Sequence, residues 1–349
     1  MKAAVWYGKK DMRIEDRELR ELKDTEVKVK VAWAGICGSD LHEYEHGPIT
    51  VPVEEEEPLT GDKAPFTFGH EFAGVVEEVG KNVTEFKAGD RVAVNPTLTY
   101  GNKEEGMDIY DGFAFIGLHT DGGFTDYANV PATNVYHLPD SLTLQDGAIT
   151  EPTAVAVQAV KESEMSFGDT VAVFGAGPIG LLTIIAARAA GATNIIALDL
   201  SETRLEKAKE LGATHCINSG ETDPVKGILE IEPEGVDVSF EVAGVEATFQ
   251  QSIEATKPRG MMVIVSIFSK PIKWNPFQLT AKGVRVTSSA AYAPSTFQKT
   301  IDLMASGQLK PQGVITDNIK LDDIVEKGFE ALSNDKSQAK ILVELSGEK

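Results

Sequence analysis

The chain is short of cysteine, with only Cys37 and Cys216 in 349 residues. Two thiols this far apart do not make the disulfide framework that stabilises many small secreted proteins. The first residues also lack a basic segment followed by a long apolar run, which a secretory signal requires. We therefore expect a protein that works in a reducing, cytoplasmic compartment.

Basic residues and long apolar segments are scarce as well. The sequence has 33 lysines and arginines against 54 aspartates and glutamates, which gives a net charge of −21. Such a surface repels the phosphates of nucleic acids and of anionic lipids. No stretch approaches the roughly 20 apolar residues of a membrane-spanning helix. We expect neither a nucleic acid nor a membrane as a partner.

Two domains are expected, because a chain of 349 residues exceeds the size at which a single core stops growing. The first 150 residues contain short alternating or β-branched runs that predict a mostly antiparallel β domain. These runs are Val27–Val31, Gly74–Val79 and Arg91–Val94. From residue 151 to 289 we predict a nucleotide-binding domain, and we expect residues 290–349 to return to the first domain.

The middle of the chain alternates apolar strands with helical patterns, which predicts an α/β fold with a doubly wound parallel sheet of the Rossmann type. Ser201 is predicted to cap the helix 202–211. The predicted strands are 171–174, 194–198, 236–240, 261–265, 283–288 and 340–345. The predicted helices are 178–190, 202–211, 245–256, 297–305 and 321–332.

A glycine pattern, Gly175-x-Gly177-x-x-Gly180, follows the first of these strands and opens a helix. In that context it is typical of a dinucleotide site. Gly175 permits the tight turn, Gly177 lets a pyrophosphate approach the backbone, and Gly180 lets helix and sheet pack closely. The first helical turn, with Pro178 and Ile179, would lie against the phosphates.

The cofactor preference is read from Asp199, which ends the next predicted strand about 20 residues after the glycines. A carboxylate there would bind the ribose hydroxyls and repel a 2′-phosphate, so we expect NAD rather than NADP. Arg204 either complicates this preference for NAD over NADP or stacks on the adenine instead. Val242 and the Ser266–Ile267 turn follow strand ends and are predicted to border the nicotinamide.

Cys37 and His70 are candidate metal ligands, although the 32 residues between them exclude a short zinc-finger pattern. A catalytic zinc ion typically has three protein ligands and one open position. Glu71 and Glu151 are the carboxylates available to complete such a set. Glu151 stands at the predicted junction of the two domains, where ligand clefts are common.

Several motifs together resemble the zinc-containing medium-chain alcohol dehydrogenases, and the likeness covers essentially the whole chain. The finer match is to the butanediol dehydrogenase branch, near the sorbitol dehydrogenases. The resemblance implies a GroES-like catalytic domain beside the Rossmann domain, and a homodimer or homotetramer. The motifs are Cys37-Gly-Ser-Asp-Leu-His42, Gly69-His70-Glu71, Gly89-Asp-Arg91 and the glycine pattern, and the loop 47–65, Glu151-Pro152 and residues 325–329 carry the finer match.

The resemblance implies that Cys37 and His70 bind a catalytic zinc ion. It leaves open whether Glu71 or Glu151 adds the third ligand. The family's second, structural zinc uses four closely spaced cysteines, and the matching stretch here, residues 95–106, has none. We therefore predict one zinc ion per chain and a lobe held by packing alone.

Ser39 is two residues from Cys37, so we expect it to bond the alcohol oxygen, and His42 would carry a proton on to solvent, as the resemblance also implies. The expected activity is hydride transfer between NAD and a small secondary alcohol or vicinal diol, foremost 2,3-butanediol and acetoin. A polyol dehydrogenase of the sorbitol type is the close alternative. A zinc-free protein similar to the quinone reductases, or a nucleotide-binding protein without catalysis, is the alternative from a different class.

Overall fold

The computed structural model describes residues 1–100, 110 and 112–346. The strands are β1 (Lys2–Gly8), β2 (Asp11–Asp16), β3 (Glu26–Gly35), β4 (Phe66–Thr67), β5 (Glu71–Val79), β6 (Arg91–Val94), β7 (Thr97–Thr99), β8 (Phe113–Phe115), β9 (Tyr127–Pro131), β10 (Val135–His137), β11 (Thr170–Phe174), β12 (Asn194–Asp199), β13 (His215–Asn218), β14 (Val236–Glu241), β15 (Thr256–Ile264), β16 (Arg285–Ser288), β17 (Ile315–Lys320) and β18 (Lys340–Glu344). The α-helices are α1 (Gly38–His46), α2 (Leu144–Ala148), α3 (Thr150–Glu162), α4 (Pro178–Ala189), α5 (Glu202–Leu211), α6 (Pro224–Ile231), α7 (Glu246–Ala255), α8 (Phe277–Lys282), α9 (Pro294–Ala305) and α10 (Ala331–Asn334).

The chain forms two compact units. The β unit contains Met1–Pro152, Ala293–Gly307 and the chain from Ile315 onward, and the α/β unit contains Thr153–Tyr292 and Gln308–Val314. The sequence-based boundaries at 150/151 and 289/290 therefore lie within three residues of two of these divisions. The short segment Gln308–Val314, which joins the α/β unit, was not part of that prediction.

The β unit is built around a seven-stranded sheet in the order β10-β6-β5-β3-β18-β17, with β9 also paired to β3. Its pairs are antiparallel except for β17 and β18, which run parallel. Alternating apolar residues such as Val27, Val29 and Val31 of β3 are fully buried in its core. The last strand, β18, therefore lies inside a sheet made mostly by the first 140 residues.

The α/β unit contains a six-stranded parallel sheet in the order β13-β12-β11-β14-β15-β16. The strand order reverses between β11 and β14, which is the arrangement of a doubly wound sheet, where ligands bind at the carboxyl ends of the strands. The predicted fold class, a parallel Rossmann-type sheet with a separate antiparallel β domain, is confirmed.

Two local predictions were wrong. The segment 321–332 is not one α-helix: it is a 3₁₀ turn, Leu321–Asp323, then a π-helix, Ile324–Glu330, and then α10. The wider i→i+5 turn brings Ile324 and Phe329, both fully buried, to one face. Ser201 stands at the N-cap of α5, but its side chain makes no capping bond, and its backbone N–H donates to the Asp199 side chain.

Other differences concern where elements begin. The strand predicted to start at 261 begins at Thr256, and the helix predicted to start at 297 begins at Pro294. Proline is well suited to the first helical position, since its missing N–H would have no partner there. Within the described residues no helix combines the length and the apolar character needed to cross a bilayer.

The buried position of β18 yields a stability prediction. Ile341 is fully buried in the core of the β unit, so Ile341→Ala should lower the free energy of unfolding by about 2–5 kcal/mol. Lys320→Ala on neighbouring β17 is the control: its ion pair with Glu344 is on the surface, and its loss should cost under about 1 kcal/mol. Urea unfolding followed by tryptophan fluorescence measures both, and equal losses would contradict the placement of β18.

Candidate metal and nucleotide sites

Three side chains of the β unit converge into a cluster suited to a metal ion. One potential ligand atom from each of Cys37, His70 and Glu71 lies within 4.8 Å of the other two. His70 and Glu71 are buried, and Cys37 is partly exposed. A thiolate, an imidazole and a carboxylate are the donors that catalytic zinc sites use, so the residues fit such an ion.

Strand pairing brings these three residues together. Cys37 follows the end of β3 by two residues, while His70 and Glu71 stand where β5 begins. In the β3–β5 pair, Gly35 lies directly opposite Glu71. A Cβ at Gly35 would lie 2.1 Å from the Glu71 Oε2 atom. The glycine therefore makes the room that the buried carboxylate occupies.

Asp40 organises the cluster and was not identified from the sequence. Its Oδ1 atom lies 3.2 Å from His70 Nδ1, and its Oδ2 atom accepts a hydrogen bond from the Cys37 N–H at 3.0 Å. Nδ1–H can donate to this carboxylate, which leaves Nε2 available for a metal ion. The signal in the sequence was its place in the first turn of α1, three residues after Cys37, where capping carboxylates are common.

The charges around His70 act on its protonation. Burial by itself lowers the pKa of His70, but the negative charges of Asp40 and Cys37 outweigh burial and raise that pKa well above its usual value. An imidazole must lose its Nε2 proton to bind a metal, so metal binding at this cluster is coupled to proton release.

Lys340 is the second residue that sequence reasoning missed. Its Nζ donates to both Glu71 oxygens, at 2.7 and 2.8 Å, and to the Ile36 carbonyl oxygen at 3.0 Å. Burial lowers the pKa of Lys340, but the charges of Glu71, Cys37 and Glu151 outweigh burial and raise it. The lysine therefore remains a buried cation beside the cluster. It comes from β18, and no local pattern linked it to residue 71.

The other predicted residues of this site are placed as follows. Glu151 is buried in the first turn of α3, outside the three-residue cluster but near enough for its charge to act on Lys340. Ser39 Oγ lies 3.4 Å from His70 Nε2. His42 is exposed on α1, three residues after Ser39. Their assigned roles remain predictions.

The predicted single zinc ion depends in part on residues 95–106. Of these, residues 101–106 lie outside the described residues. Because the stretch contains no cysteine, it lacks the four ligands of the second zinc site that the resemblance describes.

The glycine pattern forms an open cradle at the end of β11 in the α/β unit. Gly175 has a φ of 110°, and a Cβ at Gly180 would lie 1.9 Å from the Gly175 carbonyl oxygen. A Cβ at Gly177, by contrast, would meet no atom within 4 Å. Pro178 begins α4, and no side chain caps the helix. The space at Gly177 and the uncapped N–H groups therefore fit a phosphate group.

Asp199 ends β12 and is bound to the glycine-rich turn. Its Oδ2 atom accepts a hydrogen bond from the Ala176 N–H at 2.8 Å, and Oδ1 accepts one from the Ser201 N–H at 2.9 Å. Arg204 Nη1 lies 3.9 Å from Asp199 Oδ2. The carboxylate and the guanidinium are thus neighbours beside the cradle, as ribose-binding groups would be.

Val242 and Ser266–Ile267 follow β14 and β15, which pair in parallel next to β11. The Val242 N–H donates to the Phe174 carbonyl oxygen at 2.9 Å, so this loop is joined to the end of β11. The Ile267 side chain is 81% exposed. All three residues lie at the same edge of the sheet as the glycine-rich turn.

Comparison with known proteins finds a dehydrogenase family for each of the two units. Residues 23–140 match the family described as alcohol dehydrogenase GroES-like domain, and residues 178–306 match the family described as zinc-binding dehydrogenase. The chain is 45% identical to the (R,R)-butanediol dehydrogenase of Bacillus subtilis (strain 168), over 98% of this chain and 99% of that protein. The crystal structure of 2R,3R-butanediol dehydrogenase from Bacillus subtilis matches with a TM-score of 0.94 at 45% identity, covering 98% and 99% of the two chains. The sorbitol dehydrogenase of Bacillus subtilis (strain 168) is 35% identical over 98% of this chain and 97% of that protein.

The contact between Asp40 and His70 predicts a specific metal-binding defect. Asp40→Asn removes the charged acceptor that orients the imidazole, so zinc affinity should fall by about 10–100-fold, as is usual when such a partner is lost. Competition with a chromophoric chelator measures that affinity. Glu45→Gln, on the same helix but outside the cluster, is the control and should leave it unchanged. Equal affinities for the two variants would contradict the role of Asp40.

Proposed function

The chain belongs to the zinc-binding alcohol dehydrogenase family, and from that premise we propose that it is a zinc- and NAD-dependent enzyme that interconverts 2,3-butanediol and acetoin. The observation that carries this proposal is the convergence of Cys37, His70 and Glu71. The higher identity to a butanediol dehydrogenase than to a sorbitol dehydrogenase, over comparable lengths, supports a diol of this kind as the substrate.

In this proposal the bound zinc ion supplies a Lewis acid for the alcohol oxygen, and the nicotinamide accepts the hydride. Cys37 and His70 hold the ion, and Asp40 keeps the imidazole in the tautomer that leaves Nε2 free. Glu71 is the carboxylate within reach of both ligands, although both of its oxygens bind Lys340. Glu151 is the second candidate for the third ligand, because it is buried and close enough to influence Lys340.

We assign the transfer of the alcohol proton to two residues of α1. Ser39 Oγ lies beside His70 Nε2, the nitrogen left for the metal, so this hydroxyl is positioned to take the proton of an alcohol. His42 is three residues further along the helix and therefore on the same face. Histidine is a common proton carrier in enzymes, and the exposed position of His42 suits a group that passes the proton to solvent.

Two further properties belong to the proposal. The two cysteines are free, which suits the reducing cytoplasm.

Strand β16 is the last strand at one edge of the parallel sheet, and Val286 in it is 37% exposed. An unpaired edge is a template for another strand, so we propose a homodimer or homotetramer that forms through β16.

The enzyme should reduce NAD with 2,3-butanediol far faster than with sorbitol. Initial rates measured with each butanediol stereoisomer and with sorbitol test the substrate, and the (R,R) isomer should be preferred. Turnover of sorbitol but not butanediol would replace the first proposal with a polyol dehydrogenase.

Removal of the metal by chelation should abolish turnover, and added zinc should restore it. Full activity in a protein shown to be free of zinc would exclude the proposed chemistry.

The two cysteines provide a matched pair for the same assay. Cys37→Ser should abolish turnover while NAD affinity stays nearly unchanged, because Cys37 belongs to the β unit and the glycine cradle to the α/β unit. Cys216→Ser, an exposed thiol in β13, should leave both unchanged. A Cys37→Ser enzyme with a near-normal rate would contradict the metal role.

Cofactor choice is tested at Asp199. Asp199→Ala removes the carboxylate that would bind the ribose hydroxyls and repel a 2′-phosphate, so NAD should bind more weakly and its advantage over NADP should shrink by about tenfold or more. The ratio of kcat/KM for the two cofactors measures this change. An unchanged ratio would remove the assignment of Asp199.

A further inference from the structure

Glu241 is a buried carboxylate that the proposed mechanism does not use. It is the last residue of β14, it pairs with Phe174 at the end of β11, and its exposed fraction is 0%. Within the described residues no salt bridge joins it to a cation. Burial of a charge without a counter-ion is costly, so this carboxylate needs compensation from several hydrogen-bond donors.

The compensation comes from the loop after β14 together with the first turn of α7, and from the loop after β15. Glu241 Oε1 accepts hydrogen bonds from the N–H groups of Ala243 and Gly244, at 3.0 and 2.9 Å, and from Thr248 Oγ1 at 2.7 Å. Glu241 Oε2 accepts a hydrogen bond from Ser266 Oγ. One side chain therefore fixes both the loop after β14 and the loop after β15.

The two loops also touch each other and the glycine-rich turn. A Cβ at Gly244, whose φ is 72°, would lie 2.7 Å from the Ile267 carbonyl oxygen. A Cβ at Gly175 would lie 3.3 Å from the Ala243 N and Cβ atoms. The loop after β14 therefore lies between the glycine-rich turn and the loop after β15, on the side of β11 opposite β12, the strand that ends at Asp199.

These loops present apolar side chains to the outside. Ile267 is 81% exposed and Val245 is 50% exposed, beside the partly buried Val242. Exposed apolar groups at the carboxyl end of a doubly wound sheet form a surface that a flat ring can cover. Asp199 lies across the glycine-rich turn from this surface, at the end of β12.

We propose that Glu241 is a positioning residue for the nicotinamide half of the dinucleotide, because it holds Val242–Val245 and Ser266–Ile267 in the shape that receives the ring. This inference rests on the proposed dinucleotide site. The adenosine half is held separately by Asp199 and the glycine-rich turn. Removal of Glu241 should therefore weaken the binding of a complete dinucleotide but not of its ADP-ribose portion, which lacks only the nicotinamide ring.

The test compares the affinities of NADH and ADP-ribose by titration calorimetry, which requires neither an alcohol nor turnover. Glu241→Ala removes the acceptor shared by the Ala243 and Gly244 N–H groups and the hydroxyls of Thr248 and Ser266, of which, in the described part of the chain, Thr248 alone keeps a second acceptor, the Val245 carbonyl oxygen. Both loops are then freed, so NADH affinity should fall by about tenfold or more, while ADP-ribose affinity should stay within about twofold. Glu241→Gln retains an acceptor for the three donors at Oε1 and can donate its amide to Ser266, so it should restore most of the NADH affinity.

Ser239→Ala is the matched control. Ser239 is also buried in β14, but among the residues that the structure describes its hydroxyl bonds only Ser252 and Thr256, away from the two loops. This variant should lose stability without changing the ratio of the two affinities. A merely structural role for Glu241 predicts that Glu241→Ala behaves in the same way, and that result would overturn the proposal.

Ser266→Ala keeps the inference testable if Glu241→Ala does not fold. It removes only the bond at Oε2, and we expect a smaller loss of NADH affinity, about threefold, with ADP-ribose unaffected. Unchanged NADH affinity in this variant would overturn the positioning role. If the unsubstituted protein binds NADH but oxidises no alcohol, the proposed activity is wrong, and these titrations alone decide the role of Glu241. If the unsubstituted protein does not bind NADH, both the proposed activity and the role of Glu241 are wrong.

Discussion

The antiparallel pairing of β3 with β5 is the constraint on which the chemistry of this protein depends. It places Gly35 opposite Glu71, so that Cys37, two residues past one strand, meets His70, one residue before the other. A one-residue slip of this register would turn the Glu71 side chain to the other face of the sheet and remove it from the cluster. The ligands are distant in sequence, and backbone hydrogen bonds fix their separation.

A buried imidazole and a buried carboxylate would be unstable without partners, and the structure provides one for each. Asp40 faces the imidazole and the Cys37 N–H, and Lys340 faces the Glu71 carboxylate. The α/β unit follows the same physical rule at Glu241, where neutral donors from two loops and from the first turn of α7 replace a cation. In both units a buried charge determines the shape of the nearby loops.

Local patterns were enough to predict much of this molecule. The spacing of Gly175, Gly177 and Gly180 after an apolar strand indicated the cradle, because that motif acts through its own backbone. Cys37, His70 and the carboxylates were identified by residue type and by the family resemblance. The mostly antiparallel character of the first domain followed from alternating runs such as Val27–Val31.

Features that depend on distant contacts could not be predicted in this way. Lys340 reaches Glu71 only because β18 enters the sheet beside β3, and Asp40 was passed over because its partner lies 30 residues away. The π-helix at Ile324–Glu330 forms where two buried side chains five residues apart share one face. Ser201 holds the N-cap position of α5, but its residue type does not fix whether its hydroxyl reaches the first helical turn, and it makes no capping bond there.

X-ray absorption at the zinc edge of the purified enzyme, combined with the zinc content per chain, tests this arrangement of ligands most directly. We expect one zinc ion with a single sulfur neighbour at about 2.3 Å and nitrogen or oxygen neighbours at about 2.0–2.2 Å, at least one of them with the multiple-scattering signal of an imidazole. A zinc ion with no sulfur neighbour, or an active enzyme with no zinc, would contradict it.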